Sequence, residues 1–288
     1  MRYTVTHITT YQYQEPVAVS HNLVHLGPLD LPYQQVLGHQ LVVSPEPTVF
    51  HKNTDYFGNH SATITVQTKH RELVATATTT IDRRHPETPA PELTPAWETV
   101  AAEVSAAASE LLPVLEFAYA SAMVPADPAF REFAEPSFPP GRAVLEAAID
   151  LNHRIFSEFT YDSSATTVTT PVQDALLRRR GVCQDFALIL IGGMRAMGIP
   201  ARYVSGYLET SPPPGRPRLV GADASHAWAQ VWTGTSWVDL DPTNDCLPGD
   251  RHLTVAFGRD FADVSPLRGM ILGGGQAQVR VSVDVARI

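Results

Sequence analysis

The chain has 288 residues, which suffices for one large domain or two smaller ones with a buried core. Its net charge is −9 and its basic residues are scattered, which argues against a nucleic-acid surface and a polyanionic substrate. With two cysteines, no apolar leader and no apolar run of membrane-spanning length, we expect a cytoplasmic protein with neither a disulfide framework nor a membrane partner.

Residues 1–85 are predicted to form a β-rich domain. Four segments rich in Val, Thr, Ile and Tyr alternate in polarity as half-buried strands do: Tyr3–Tyr13, Gln35–Val43, Ala62–Thr68 and Leu73–Asp82. Several short strands separated by regular turns predict an antiparallel β-sandwich. The histidines of this region lack metal-ligand spacing with acids or cysteines, so no metal site is expected here.

A second domain is predicted after a proline-rich linker. Residues 86–96 show no apolar periodicity, and residues 97–288 follow as one domain. This domain opens with three predicted helices, Trp97–Leu112, Ala143–Phe156 and Val172–Arg180. The three arginines that end the last helix either form a solvated turn or lower the pKa of a nearby thiol.

The most apolar helix of the chain is predicted to begin near Cys183 and to end at Gly198. Its side chains are apolar nearly all round, which is typical of a helix buried on most sides. A thiol at the helix N-terminus gains from the unpaired backbone N–H groups, which stabilise a thiolate. Cys183 is therefore a candidate nucleophile, and the alternative is a small buried apolar residue.

Strands follow the buried helix. Ala201–Leu208 is predicted to be a strand, Pro212–Pro217 a loop, and Ser225–Thr233 with Trp237–Asp241 a hairpin. The last strand, Gln278–Ile288, is expected to close the edge of a sheet.

The predicted hairpin brings a histidine and an aspartate together. A symmetric two-residue turn places Asp241 opposite Trp228 and diagonal to His226 on the same face, within reach of the imidazole. Asp239 lies further along the strand and is the poorer partner. Cys183, His226 and Asp241 thus form a candidate nucleophile, base and orienting carboxylate.

Four motifs resemble, in this order, those of the transglutaminase-like cysteine enzymes: GVCQDFA, GIPARYVSGYL, ASHAWAQVW and WVDLDPTND. The resemblance is to bacterial members with a β-rich N-terminal region, and it extends to YQYQEPVAVSHN, DYFGN and HLTVAFGRDFADVSPLRG. It implies an α+β fold, with helices packed on an antiparallel sheet in a papain-like core. It also assigns the family's catalytic Cys, His and Asp to Cys183, His226 and Asp241.

Further residues follow from this resemblance. The Cys183 backbone N–H and the Tyr161 hydroxyl are expected to stabilise an oxyanion. A second group of polar residues is expected to support the site through ion pairs or hydrogen bonds: Asp185, Arg202, His252, Arg259 and Asp260. Acidic loops like those of the calcium-dependent relatives are missing, so no calcium is expected, and no other metal or cofactor is expected either. Leu188 stands where many relatives have histidine, and this difference is expected to alter packing more than chemistry.

The expected reaction is acyl transfer from a peptide or protein substrate through a thioester, with water as the first choice of acceptor, as in a cysteine protease or amidase. Cross-linking or amine transfer is the alternative, and a non-catalytic peptide-binding module is a different class of function. A zinc hydrolase that uses Cys183, His226, Asp241 and Cys246 lacks the usual short-spaced ligand pair. Cys246 is either an ordinary thiol or a partner for a reversible disulfide with Cys183.

Overall fold

The computed structural model describes residues 1–106, 111–210 and 225–288, and the predicted loop Pro212–Pro217 lies outside these ranges. Within them the chain has a mixed helix and sheet fold. Five strands come first: β1 (Arg2–Gly27), β2 (Gln34–Ser44), β3 (Val49–Thr54), β4 (His60–Val66) and β5 (His70–Arg83). All their pairings are antiparallel, and alternate residues of β1 and β5 are buried as the polarity pattern predicts.

The middle of the chain is mainly helical. Its elements are α1 (Trp97–Ser105), α2 (Leu112–Leu115), α3 (Pro128–Ala134), α4 (Val144–Glu158), β6 (Thr160–Tyr161), α5 (Val172–Arg178), β7 (Arg180–Gly181) and α6 (Cys183–Ala196). Within the described ranges, no helix is both long and apolar enough to cross a membrane.

Helix α6 is the buried centre of this part of the chain. Every residue from Asp185 to Arg195 is buried, which confirms the expectation from its apolar sequence. Gly192 allows a close approach of α3, because a Cβ atom there would lie 2.5 Å from the ring of Phe130. The helix is therefore held tightly along its length, and its first residue has a fixed position.

A four-stranded antiparallel sheet packs against α6, with strands β8 (Ala201–Leu208), β9 (Ser225–Trp232), β10 (Trp237–Leu240) and β11 (His252–Gly258) in the order β10-β9-β8-β11. Ala227 and Ala229 of β9 belong to the same apolar core as α6. Trp228, on the opposite face, is fully buried against Leu29 from the N-terminal region. The sheet thus lies between α6 and the N-terminal region.

The chain returns to the N-terminal sheet after helix α7 (Phe261–Val264). Strands β12 (Leu267–Gly273) and β13 (Ala277–Arg287) both pair with β1. We predicted a sandwich of two sheets, whereas the hydrogen bonding joins all seven strands into one sheet. The reason is the length of β1, whose first half pairs with β5 and β13 and whose second half pairs with β4 and β12.

Two side-chain amides cover the outer edge of β11. Gln34 accepts a hydrogen bond from Thr254 N–H (2.9 Å) and donates one to its carbonyl (2.8 Å). Asn59 does the same at Phe257, at 2.8 and 2.7 Å. Each amide satisfies the backbone groups that a neighbouring strand would otherwise satisfy, so the N-terminal region is clamped to the four-stranded sheet. We call this pair of amides the edge clamp.

Candidate active site

Cys183 is the first residue of α6, and its local sequence explains the position. Val182 is extended, and its N–H donates to the carboxylate of Asp185 (2.9 Å), which also accepts from the hydroxyl of Thr166 (2.6 Å). A Cβ atom at Gly181 would lie 2.5 Å from this carboxylate, so the turn into the helix requires glycine. The predicted support by Asp185 is thus a helix cap that fixes the half-buried thiol.

The hairpin has the register that the symmetric turn predicts. Trp237 pairs with Trp232, and Leu240 pairs with Ala229. The Nε2 atom of His226 consequently lies 2.7 Å from Oδ2 of Asp241. This is the diagonal contact expected from the sequence.

The carboxylate of Asp241 is fully buried and accepts hydrogen bonds on both oxygens. Oδ1 accepts from the backbone N–H groups of Thr243 (2.9 Å) and Asn244 (3.2 Å). Oδ2 lies 2.7 Å from the Asn244 amide nitrogen and 3.0 Å from Nε2 of His252, in addition to His226. These contacts fix its position, and they include His252, which was expected to support the site.

The charges of the site favour a protonated imidazole. Burial acts to lower the pKa of His226, but hydrogen bonds and charge from Asp241 and Cys183 outweigh it and raise this pKa to about 10. Burial acts to raise the pKa of Asp241, yet the hydrogen bonds from His226 and His252 hold that pKa well below its usual range. The His226 imidazole therefore contacts both the thiol and the carboxylate. Because Asp241 occupies Nε2, Nδ1 is left to face Cys183.

Two tyrosines lie near the thiol. Tyr161, the predicted oxyanion donor, is 57% exposed, and its pKa is raised by partial burial and by the charges of Cys183 and Asp185. Strand β6 positions it by pairing in parallel with β7, directly before the cysteine. Tyr203 is fully buried, and burial followed by the same two charges raises its pKa well above the ordinary value. Sequence patterns did not single out Tyr203.

Arg202 does not join the site in the way that Asp185 and His252 do. Its Nε donates to the side chain of Gln230 (2.8 Å), and its guanidinium stacks over Trp237 and Phe257. Burial lowers the pKa of this guanidinium to about 10. Arg202 therefore stabilises the face of the sheet toward the N-terminal region, where Asp239 also accepts from Trp228 Nε1–H (2.6 Å).

The other charged candidates have structural partners. Arg259 pairs with Asp263 (2.9 Å), and Asp260 caps α7 and accepts from the backbone of Met123 (2.8 Å). Arginines 178, 179 and 180 pair in turn with three acids: Asp174, Glu158 and Asp162. The arginine series is thus neutralised locally.

Cys246 contacts the site through its backbone, which bridges to that of Asp241 (2.9 and 3.3 Å). Burial, with the charges of Asp241 and Asp245, raises the pKa of its thiol to about 11, which makes it a poor nucleophile. Leu188 is part of the apolar core.

Sequence reasoning missed the amide of Asn244, for which its place in the WVDLDPTND motif was the only signal.

His226, Asp241 and His252 also form a donor set that could hold a metal ion, since one ligand atom from each lies within 4.8 Å of the others. This set differs from the one considered from the sequence, because His252 takes part and neither cysteine does.

Two regions of the chain match known protein families. Residues 3–82 match the family model of the bacterial transglutaminase-like N-terminal region, and residues 131–242, which include all three candidate catalytic residues, match that of the transglutaminase-like superfamily. An uncharacterised Mycobacterium tuberculosis protein is 42% identical over 99% of this chain and 92% of its own length.

Two further similarities are to an enzyme and to a solved structure. A protein-glutamine gamma-glutamyltransferase of Pseudomonas aeruginosa is 32% identical over 130 residues, which cover 40% of this chain and 20% of that enzyme. A crystal structure from Cytophaga hutchinsonii, provisionally assigned as a cysteine protease, superposes with a TM-score of 0.77 over 99% of this chain and 90% of that one. Its sequence identity is 20%, so this likeness concerns the fold.

Proposed function

Because this chain belongs to the transglutaminase-like superfamily, with a bacterial transglutaminase-like N-terminal region, we propose that it cleaves amide bonds of peptides or proteins through a thioester on Cys183. The observation that carries the proposal is the contact series from the Cys183 thiol through the His226 imidazole to the Asp241 carboxylate. This series contains a nucleophile, a proton carrier and a group that orients the carrier. The superfamily suggests an enzyme, and the hydrolytic reaction is our proposal.

The first half of the reaction forms the thioester. The Cys183 thiolate attacks the amide carbonyl, and the carbonyl oxygen takes up the negative charge. The Cys183 N–H belongs to the first turn of α6, where N–H groups have no intrahelical acceptor, and it can donate to this oxygen together with the Tyr161 hydroxyl. His226 then gives its proton to the leaving nitrogen, the C–N bond breaks, and an amine departs.

The second half releases the acyl group. Neutral His226 takes a proton from an incoming water molecule, whose oxygen attacks the thioester carbonyl. The C–S bond breaks, a carboxylic acid leaves, and the thiolate and imidazolium are restored. Asp241 keeps the imidazole in the orientation that both proton transfers require.

Amine transfer is the second candidate function. It is favoured by the 130-residue similarity to the Pseudomonas aeruginosa gamma-glutamyltransferase. In this reaction a primary amine replaces water in the second half, and a new amide forms. Cys183, His226 and Asp241 serve both reactions equally. The two reactions therefore differ only in the acyl acceptor, which is water in hydrolysis and a primary amine in amine transfer.

A peptide library treated with the wild-type protein tests the proposal. Mass spectrometry of the products, with and without an added primary amine, is compared with the same experiment on Cys183→Ala and on Cys246→Ala. Hydrolysis products without amine, lost in Cys183→Ala and retained in Cys246→Ala, support the hydrolase. Products that form only with amine support the transferase, and identical products from wild type and Cys183→Ala refute the nucleophile.

Thiol reactivity separates catalysis from passive peptide binding. We expect iodoacetamide to alkylate Cys183 faster than Cys246, because burial and neighbouring acids raise the pKa of the Cys246 thiol. Slower alkylation of Cys183 would favour a binding module.

The cytoplasmic location stays a prediction from the two unpaired cysteines.

A further inference from the structure

Two histidines point at the carboxylate of Asp241. The Nε2 atoms of His226 and His252 lie 2.7 and 3.0 Å from the same oxygen, Oδ2. The proposed mechanism uses the first imidazole and leaves the second as a further nitrogen donor. We infer that His226, Asp241 and His252 form a binding site for a transition-metal ion such as Zn²⁺, and that the bound ion inhibits the enzyme.

The donor set decides the class of ion. Two imidazole nitrogens and one carboxylate oxygen suit Zn²⁺, Cu²⁺ or Ni²⁺, whereas Mg²⁺ and Ca²⁺ prefer oxygen ligands alone. Zinc binds nitrogen and oxygen at about 2.0–2.2 Å in tetrahedral geometry, which separates neighbouring ligand atoms by about 3.3 Å. The present separations of 2.7 and 3.0 Å must widen by a few tenths of an ångström, with a tilt of the two rings.

Metal binding changes the protonation of both imidazoles. In the ion-paired site His226 carries a proton on each ring nitrogen, and metal binding at Nε2 releases one of them to solvent. His252 moves its Nε2 proton to Nδ1, which is buried and has no hydrogen-bond partner among the described residues. One proton thus leaves for each ion bound, and the carboxylate of Asp241 stays ionised.

Asn244 is the exposed side chain that lies over this site. Its amide nitrogen is 2.7 Å from Oδ2 of Asp241 and 3.3 Å from Nε2 of His226. Because this side chain is exposed, we expect its rotation to admit an ion to the three donor atoms. A water molecule or the Asn244 carbonyl oxygen can then fill the fourth position.

Inhibition follows from the nitrogen that the ion occupies, and this consequence rests on the proposed function. With the ion on Nε2, His226 keeps its proton on Nδ1, the nitrogen that faces Cys183. This neutral, metal-bound imidazole is a much weaker acid than the imidazolium, so it does not give its Nδ1 proton to the leaving nitrogen in the first half of the reaction. The binding itself requires neither the thiol nor the reaction.

The experiment uses Cys183→Ala, which retains the three ligands and cannot bind metal through its thiol. We expect Co²⁺ to give the visible spectrum of a four-coordinate ion without a thiolate charge-transfer band, and Zn²⁺ to displace it. His252→Gln in the same background should weaken binding at least about tenfold, since outer partners of metal ligands alone contribute that much. The control His153→Gln, which removes an exposed histidine that contacts Asp245 (2.7 Å), should leave binding unchanged.

Two results would overturn the inference. One is loss of Co²⁺ binding in Cys183→Ala, with a thiolate band in the wild type, which would show capture by the thiol. The other is unchanged affinity in His252→Gln. If His252→Gln fails to fold, nitrogen NMR of the Cys183→Ala protein gives the answer, because Zn²⁺ should shift the Nε2 resonances of both His226 and His252. All these measurements stand apart from acyl transfer, so the site and the proposed reaction can fail separately.

Discussion

Loss of the hydrogen bonds of the edge clamp should lower the free energy of unfolding by an amount that can be worked out from the structure. Gln34 is buried and makes three of them: two with the backbone of Thr254 and one to the carbonyl of Leu29 (2.9 Å). Gln34→Met keeps the length of the side chain but leaves one N–H and two carbonyls without these partners. A buried polar group without a partner costs about 1–3 kcal/mol, with the carbonyls at the lower end, so we expect a loss of about 3–5 kcal/mol.

Urea unfolding, followed by tryptophan fluorescence and near-ultraviolet circular dichroism, measures this loss of unfolding free energy. Gln35→Met is the matched control, because Gln35 is the exposed neighbour on the same strand. We expect the control to lie within about 0.5 kcal/mol of the wild type. A Gln34→Met loss no larger than that of the control would refute the clamp, provided that the two probes give coincident transitions.

Three further predictions concern other parts of the chain. Burial lowers the pKa of His7 to about 4 from 6.5, so the unfolded chain takes up the proton first as the pH falls, and about 3 kcal/mol of the stability present above pH 6.5 is lost between pH 6.5 and 4. Unfolding free energies of His7→Gln should lack this acid dependence, whereas those of the exposed His51→Gln should retain it. Gly192→Ala should lower the unfolding free energy by about 1–3 kcal/mol, because its methyl group would overlap the ring of Phe130; equal thermal stability would contradict this packing. Asn244→Ala should lower kcat of the proposed reaction about tenfold with little change in KM, since it removes a donor to the carboxylate of Asp241, and an unchanged kcat would show that this donor is dispensable.

The local parts of the site could be predicted from the sequence. The apolar run behind Cys183 fixes the helix start, and polarity alternation with a short turn fixes the hairpin register that joins His226 to Asp241. Both depend on residues that are close in the chain, where periodicity carries the information.

The remaining parts depend on contacts between distant residues. Strand β3 has six exposed residues and no apolar alternation, so its sequence does not predict a strand. His252 lies in a strand whose residues are all buried, and only the family resemblance suggested that it supports the site. The amide of Gln34 meets Thr254 across 220 positions, which no local pattern encodes.

The long first strand also has a consequence for the order of folding. Tyr3 pairs with Ile81 on one side and with Arg287 on the other, so a sheet begun by the first residues is completed by some of the last. During synthesis, one side of β1 stays unpaired until β12 and β13 are made, after the helices and the four-stranded sheet. Contacts of such long sequence separation slow folding, because the loop between them must close first. We therefore expect the segment that carries Cys183 and His226 to become compact before the N-terminal sheet is complete, with the edge clamp among the last contacts to form.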